Sequence, residues 1–379
     1  MMSRFAASIP KSVAPTFTSV ALAIAIGGAS SACTDNAKRG GELQITASAE
    51  GLGSNGYAFP PVSAQALAFV DGWEVKFERI LVVIDNIRLA EMPDKNPGDQ
   101  SAVGPNLVIR RGPFVVDLKG SGNAEDKGLA GEVAIRLPVD DLNGLFDLEQ
   151  RYAFGYDLVP ATAQAKLVNV SADDPELLDM IARGNRALLV GHAEFKAEGC
   201  KSSIPNYPFD ALPTAVDFRF GLPGKVSYVN CQNPENFGKA IDGEESQRGI
   251  QMLPHAVTTA QITLHTDHLF WSNITHENLP IFDQYAANAS ASGALDGRFS
   301  VDLERLKSVR VSAITDRTGS ALPWRSCVDS SQYVMPTEPG TMTFDPGSQA
   351  LTDLYEFVQF SAASMGHLNA DGLCYVERK

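Results

Sequence analysis

The chain contains no Cys-x-x-Cys pair, no His-Glu-x-x-His string and no Gly-x-x-x-x-Gly-Lys-Ser/Thr loop. These absences remove the sequence signs of a redox dithiol, an attached haem, a zinc ribbon, a zincin protease and a P-loop nucleotide site. Positive charge is scarce: Lys+Arg 31 against Asp+Glu 45 gives a net charge of −14 at pH 7. An acidic surface repels phosphate backbones, and no basic stripe interleaves with aromatics, so nucleic acid is excluded as an expected partner. No internal repeat of fixed period occurs, and no apolar run is long enough to span a bilayer as a stable helix. What remains is 379 residues with 44% hydrophobic and 20% charged side chains, Gly 32 and Pro 22. That composition excludes a disordered, collagen-like or coiled-coil protein and leaves room for one large domain or two medium ones.

Residues 1–32 contain Arg4 and Lys11, no acidic residue, and an apolar run from Val20 to Ile26 that ends in Gly27, Gly28, Ala29, Ser30, Ser31 and Ala32. This is the pattern of a secretory signal peptide. The string Ser30-Ser31-Ala32-Cys33 resembles the lipobox of bacterial lipoproteins, with Ser30 where that family usually has Leu. The resemblance implies lipidation of Cys33, a tether over 33–42, and residence at the cell or outer membrane facing the periplasm or the exterior. Ser30 and Ala32 also suit an ordinary signal peptidase cutting after Ala32, which would leave a plainly secreted protein. Either cut removes two positive charges and leaves the mature chain at −16.

The five cysteines are odd in number, but a lipidated Cys33 leaves Cys200, Cys231, Cys327 and Cys374, an even set suited to an oxidising compartment. Of the three pairings, Cys200 with Cys231 and Cys327 with Cys374 is expected, because each bridge then closes a loop within one half of the chain. Loop entropy makes each such bridge worth roughly 3 to 4 kcal/mol.

Most of the mature chain alternates as strands do. Trp73, Val75 and Phe77 interleave with Glu74, Lys76 and Glu78, after which the apolar phase moves to Ile80, Val82 and Ile84. A change of phase predicts a bulge or turn near Arg79. Further alternation occurs at Val133-Ile135-Leu137, Tyr152-Phe154-Tyr156-Leu158, Val216-Phe218-Phe220, Ile262-Leu264 and Val309-Val311. Two helices stand out. Asp173 or Asp174 can cap one that has Pro175 in its first turn, Leu177, Leu178 and Ile181 on its apolar face, and Gly184 as a stop. The other runs through Leu351, Leu354, Phe357, Val358 and Met365 toward Gly366. Asp283, past Pro280, falls in a short third helix. The expected fold is mainly β: an antiparallel β-sandwich, as one large body or two sandwich-like halves (43–200 and 201–379), with two or three peripheral helices. In strand pattern the middle of the chain is similar to β-rich extracytoplasmic lipoproteins of uncharacterised role, a likeness that carries no functional residues.

Only six histidines occur, three of them within the stretch His265, His268, His276. With Asp267 between them, and with His192 and Glu194 on another strand, they are the candidate ligands for Zn²⁺ or Cu²⁺, since imidazole and carboxylate suit both ions. On an extended strand His265 and His268 point to opposite faces, so a shared site requires a bend. Otherwise Asp267 and the histidines serve as hydrogen-bonding groups that fix a strand end. Ala362-Ala363-Ser364-Met365-Gly366 resembles the nucleophile elbow of α/β-hydrolases, but only His367 follows it and helix precedes it, so Ser364 reads as a small helical residue. The acid- and Gly-rich stretch 123–128 reads as a solvated turn rather than a Ca²⁺ loop. Trp73, Trp271 and Trp324 are the candidates for a glycan-stacking platform, with Trp73 expected in the core. The expectation is an exported, membrane-anchored protein with a binding or structural role toward a protein, metal or glycan; the alternative is a metal-binding protein or metal-dependent hydrolase.

Overall fold

Alternation and its interruptions build the longest strand of the protein, Trp73–Ala90. Trp73, Val75 and Phe77 are buried on one face, and Ile80, Val82 and Ile84 take over that face farther along. On the adjacent strand Phe77 pairs with Gly191 but Arg79 with Val190, so Glu78 is the extra residue of a bulge, as the phase change predicts. At this crowded point a Cβ on Gly191 would lie 2.3 Å from the carbonyl oxygen of Lys76 and from the Phe218 ring. A second shift, between Asp85 and Arg88 with Asn86 at φ 48°, returns the buried face to Ile87 and Leu89.

The computed structural model describes residues 39–378 apart from 64–65, 120–132, 140–141, 143, 145, 275–278, 292–297 and 329–343. The expected signal peptide, Cys33, the first part of the expected tether, the stretch 123–128 and His276 therefore lie outside the described residues. The principal strands, in chain order, are β1 (Glu42–Ser48), β2 (Trp73–Ala90), β3 (Phe114–Asp117), β4 (Arg151–Leu158), β5 (Asn185–Phe195), β6 (Ala215–Pro223), β7 (Val226–Val229), β8 (Val257–Leu264), β9 (Phe299–Asp302), β10 (Gly366–Leu368) and β11 (Tyr375–Arg378). Helices are α1 (Glu50–Asn55), α2 (Pro175–Arg183), α3 (Asp283–Asn288) and α4 (Leu354–Ala362).

The protein is mainly β. One large sheet runs β9-β6-β5-β2-β4-β7-β11, with β3 also paired to β2; a second sheet contains β10-β8-β1. Pairing is antiparallel for the most part, but β6 with β9 and β8 with β1 are parallel. Strands from before and after residue 200 are interleaved in the large sheet, and Lys38–Lys379 forms one compact unit.

The two sheets share one core. Ile45, Ile262 and Leu264 of the smaller sheet join Val75, Phe77, Val82, Phe218 and Phe220 of the larger. Phe69, Phe77, Phe218 and Phe220 surround Phe270 with ring centroids 5.0 to 6.4 Å away. The opposite face of the large sheet is closed by α2, whose Leu177 and Met180 cover Leu81, Val83, Val115 and Leu188. Each such buried side chain contributes roughly 1.5 to 3 kcal/mol.

Helix α2 begins where its cap predicts: Asp174 Oδ1 accepts from the N–H groups of Glu176 and Leu177, and Gly184 ends it in the left-handed conformation. Its buried face differs from expectation, because Met180 fills the sheet while Leu178 is half exposed. Helix α4 stops at Ala362 rather than Gly366, which opens β10 instead. Val309-Val311 is not a strand: Val309 caps one short 3₁₀ turn, Leu303–Ser308, and Val311 opens the next, Val311–Ala313.

All four expected cysteines are bridged, but across the expected pairs: Cys200 joins Cys327 and Cys231 joins Cys374. Strand pairing is the reason. Lys201 and Ser202 pair antiparallel with Ser326 and Arg325, which sets Cys200 opposite Cys327 at a Cα–Cα distance of 4.1 Å. Likewise β7 pairs with β11 so that Val229 faces Tyr375, which brings Cys231 to 3.9 Å from Cys374.

Candidate functional site

Strand β8 ends at Leu264, and the chain bends immediately into a 3₁₀ turn, Thr266–Phe270, with His265 at its start. This bend removes the strand geometry that would separate His265 from His268. Within the turn Leu269 and Phe270 enter the core, while His268, 2% exposed, stays beside the strand end. Strand β10 lies antiparallel to β8 with Thr263 opposite His367, so His367 becomes the diagonal neighbour of His265.

The three imidazoles converge. The His265 and His367 rings are stacked at 4.0 Å with 21° between planes, and both approach His268 at 5.7 and 5.5 Å. One ligand nitrogen from each of His265, His268 and His367 can be chosen so that all lie within 4.8 Å of one another. A second set, Glu50, His265 and Asp371, shares His265.

Neighbouring groups orient the rings. Ser364 Oγ donates its proton to the carbonyl oxygen of Ser361 at 2.7 Å, so toward His268 Nδ1, 3.0 Å away, it acts as acceptor. That arrangement favours the His268 tautomer with its proton on Nδ1, in which Nε2 is the candidate ligand atom. The His268 ring also packs on Trp271 at 3.7 Å. His265 Nε2 lies 3.2 Å from Glu50 Oε1 and 3.3 Å from the carbonyl oxygen of Ala370. Burial works against a charged His265, but Glu50, with Asp267 and Asp371, outweighs it and raises its pKa above the ordinary histidine value. Glu50 also lines a cavity of about 440 Å³ with Leu52, Pro61, Val62 and Leu67, to which none of the three histidines contributes.

The other candidates fall elsewhere. Asp267 is not in the histidine set; its Oδ2 accepts from Trp271 Nε1 at 2.8 Å, and burial raises its pKa. His192 sits on β5 with Nδ1 2.6 Å from Asp217 and Nε2 3.4 Å from Glu194, and no candidate ligand set among the described residues includes it. Asp283 is held in the core by Arg325, through two bonds of 2.7 Å, and by Trp73 Nε1 at 2.8 Å. Trp73 and Trp271 are buried, which removes them from a glycan platform. His367 and Glu50 are the residues that sequence reasoning missed. The Ser364 to His367 stretch was noticeable only as a hydrolase resemblance; in the fold Ser364 meets His268, 96 residues away.

Comparison with protein-family models, curated proteins and solved structures finds no match for this chain.

Proposed function

We propose that this is an exported cell-envelope protein, tethered through a lipidated Cys33, whose ectodomain binds Zn²⁺ or Cu²⁺ through His265, His268 and His367. The convergence of these imidazoles, with ligand nitrogens within 4.8 Å, carries the metal reading. Imidazole is a ligand common to both ions, and the Ser364 and Glu50 contacts are the outer-shell partners that such ligands use. Export is supported by the signal-peptide pattern and by two disulfides, which are consistent with an extracytoplasmic protein. Lipidation is supported by the Ser30-Ser31-Ala32-Cys33 string and by the pairing of the other four cysteines, which leaves Cys33 over.

The test is metal analysis of protein purified without chelator and then reloaded with Zn²⁺ or Cu²⁺. About one equivalent is expected in the native chain, lost in a His268→Ala, His367→Ala double variant that keeps its native circular dichroism. Metal absent from the native chain, or unchanged in that variant, overturns the metal reading. Mass spectrometry of the mature N-terminus should show a diacylglyceryl group on Cys33; an unmodified Cys33 refutes the anchor.

A further inference from the structure

A second candidate site is built at the start of β5. Asn185 pairs with Pro223 but Ala187 with Leu222, which makes Arg186 the extra residue of a bulge. A bulge re-aims the side chain it carries. Here it sends Arg186 inward, where only 3% of the residue is exposed. One Nη donates to the carbonyl oxygen of Pro223, while Nε has no hydrogen-bond partner. Among the described residues no carboxylate pairs with it, and a second cation, Arg378, is close enough to lower its pKa further. Arg378 comes from β11, with its guanidinium 3.8 Å over the Phe360 ring and Nη2 3.2 Å from the Phe360 carbonyl oxygen.

These two arginines border a cavity of about 360 Å³ between α4 and the turn joining β6 to β7, together with Lys225, Val226, Leu351 and Phe360. Lys225 is already paired, with Nζ 2.7 Å from Asp157. Glu356, also on the wall, has Oε2 occupied by the backbone N–H and hydroxyl of Thr352. A buried guanidinium keeps its charge, and leaving it without a counter-charge is unfavourable. Among the described residues no acidic side chain is paired with Arg186.

We propose that this cavity binds an organic anion, a carboxylate or phosphate head between Arg186 and Arg378 with a short aliphatic body against Val226, Leu351 and Phe360. The planar fork of arginine matches both heads in two-point contact. The apolar wall gives a reason for an alkyl substituent, and the Glu356 charge disfavours a polyanion. The site shares no residue with the histidine cluster, so the two readings stand or fall separately.

The test is calorimetric titration and thermal shift with octanoate, octyl phosphate and inorganic phosphate, on the full mature chain and on Arg186→Met and Arg378→Met. Saturable binding of at least one octyl anion is expected, weakened at least tenfold in each variant. The better of octanoate and octyl phosphate identifies the head. Arg186→Met should also keep or raise the Tm without ligand while losing the ligand-induced shift; if that variant fails to fold, Arg378→Met carries the test. No saturable binding by either octyl anion, binding unaffected by the variants, or inorganic phosphate binding as tightly as octyl phosphate overturns the proposal.

Discussion

Replacing Cys231 and Cys374 together by alanine tests the topology of the fold at its longest cross-link. The bridge joins residues 143 apart, and closing a loop of that length in the unfolded chain is worth about 5 kcal/mol on the entropy model. The other bridge spans 127 residues and restrains part of the same segment, since the two loops overlap between Cys231 and Cys327. The loss on removing one is therefore smaller, about 3 to 4 kcal/mol. For a folded unit of roughly 340 residues the unfolding entropy is about 0.7 kcal/mol/K, so the Tm should fall by about 5 °C. Alanine keeps the fully buried Cys231 position apolar, which limits the packing cost. Differential scanning calorimetry of the oxidised native chain and the double variant measures the shift, and non-reducing peptide mapping of the native chain identifies the bridges. Peptides linking Cys200 to Cys231, or a Tm unchanged to within about 1 °C, would refute the reasoning.

Three further outcomes follow from the same contacts. Ser364→Ala removes the acceptor that holds the His268 proton on Nδ1, and should weaken metal binding by roughly 10- to 100-fold, read by competition with a chromophoric chelator. His192→Ala should leave metal content unchanged, because His192 is engaged with Asp217 and Glu194 rather than with the cluster; a lost equivalent of metal would place it in the site. Asp157 is almost fully buried: burial favours its neutral form, but Lys225, Asn86 and Arg88 outweigh this and hold its pKa below the ordinary carboxylate value. Its contribution to stability is therefore complete above the unfolded pKa of about 4 and is lost as pH falls through the lower folded value. Asp157→Asn should cost about 3 kcal/mol at pH 7 in urea unfolding and should flatten the acid limb below about pH 4; an unaltered acid limb would contradict the assignment.

What could be read in the sequence was local. The alternation on either side of Arg79 contains the bulge at Glu78, because a two-residue period exposes any slip. The caps of α2 are chemical and adjacent, so Asp174 and Gly184 mark its ends. Its buried face was harder: Leu178 is as apolar as Met180, and only the position of the sheet selects between them. The disulfide partners could not be deduced by counting loops, since antiparallel pairing of 201–202 with 325–326 and of β7 with β11 outweighs proximity along the chain. The histidine cluster was half legible. His265 and His268 are close in sequence, but His367 joins them only through the β8-β10 pairing. In the same way Arg186 looks like an ordinary surface residue until the bulge turns it inward.

The C-terminal strands explain why so much chemistry collects in one place. Residue 366 must be glycine, because a Cβ there would lie 2.4 Å from the Tyr228 ring and 2.5 Å from Tyr156 Oη. Those two tyrosines are stacked at 4.7 Å, and Tyr156 Oη donates to the carbonyl oxygen of His367 at 3.2 Å, which ties the smaller sheet to the larger. One residue farther, His367 completes the imidazole cluster; Cys374 then bonds to Cys231; and Arg378, paired opposite Val226, closes the cationic cavity. The segment from Gly366 to Arg378 therefore supplies a group to each candidate site and one to a disulfide. An edge strand as short as β11 is weakly held by its own backbone bonds, and the disulfide at its start restrains it. The bridge is thus placed where loss of a terminal strand would remove Arg378 from one site and loosen His367 in the other.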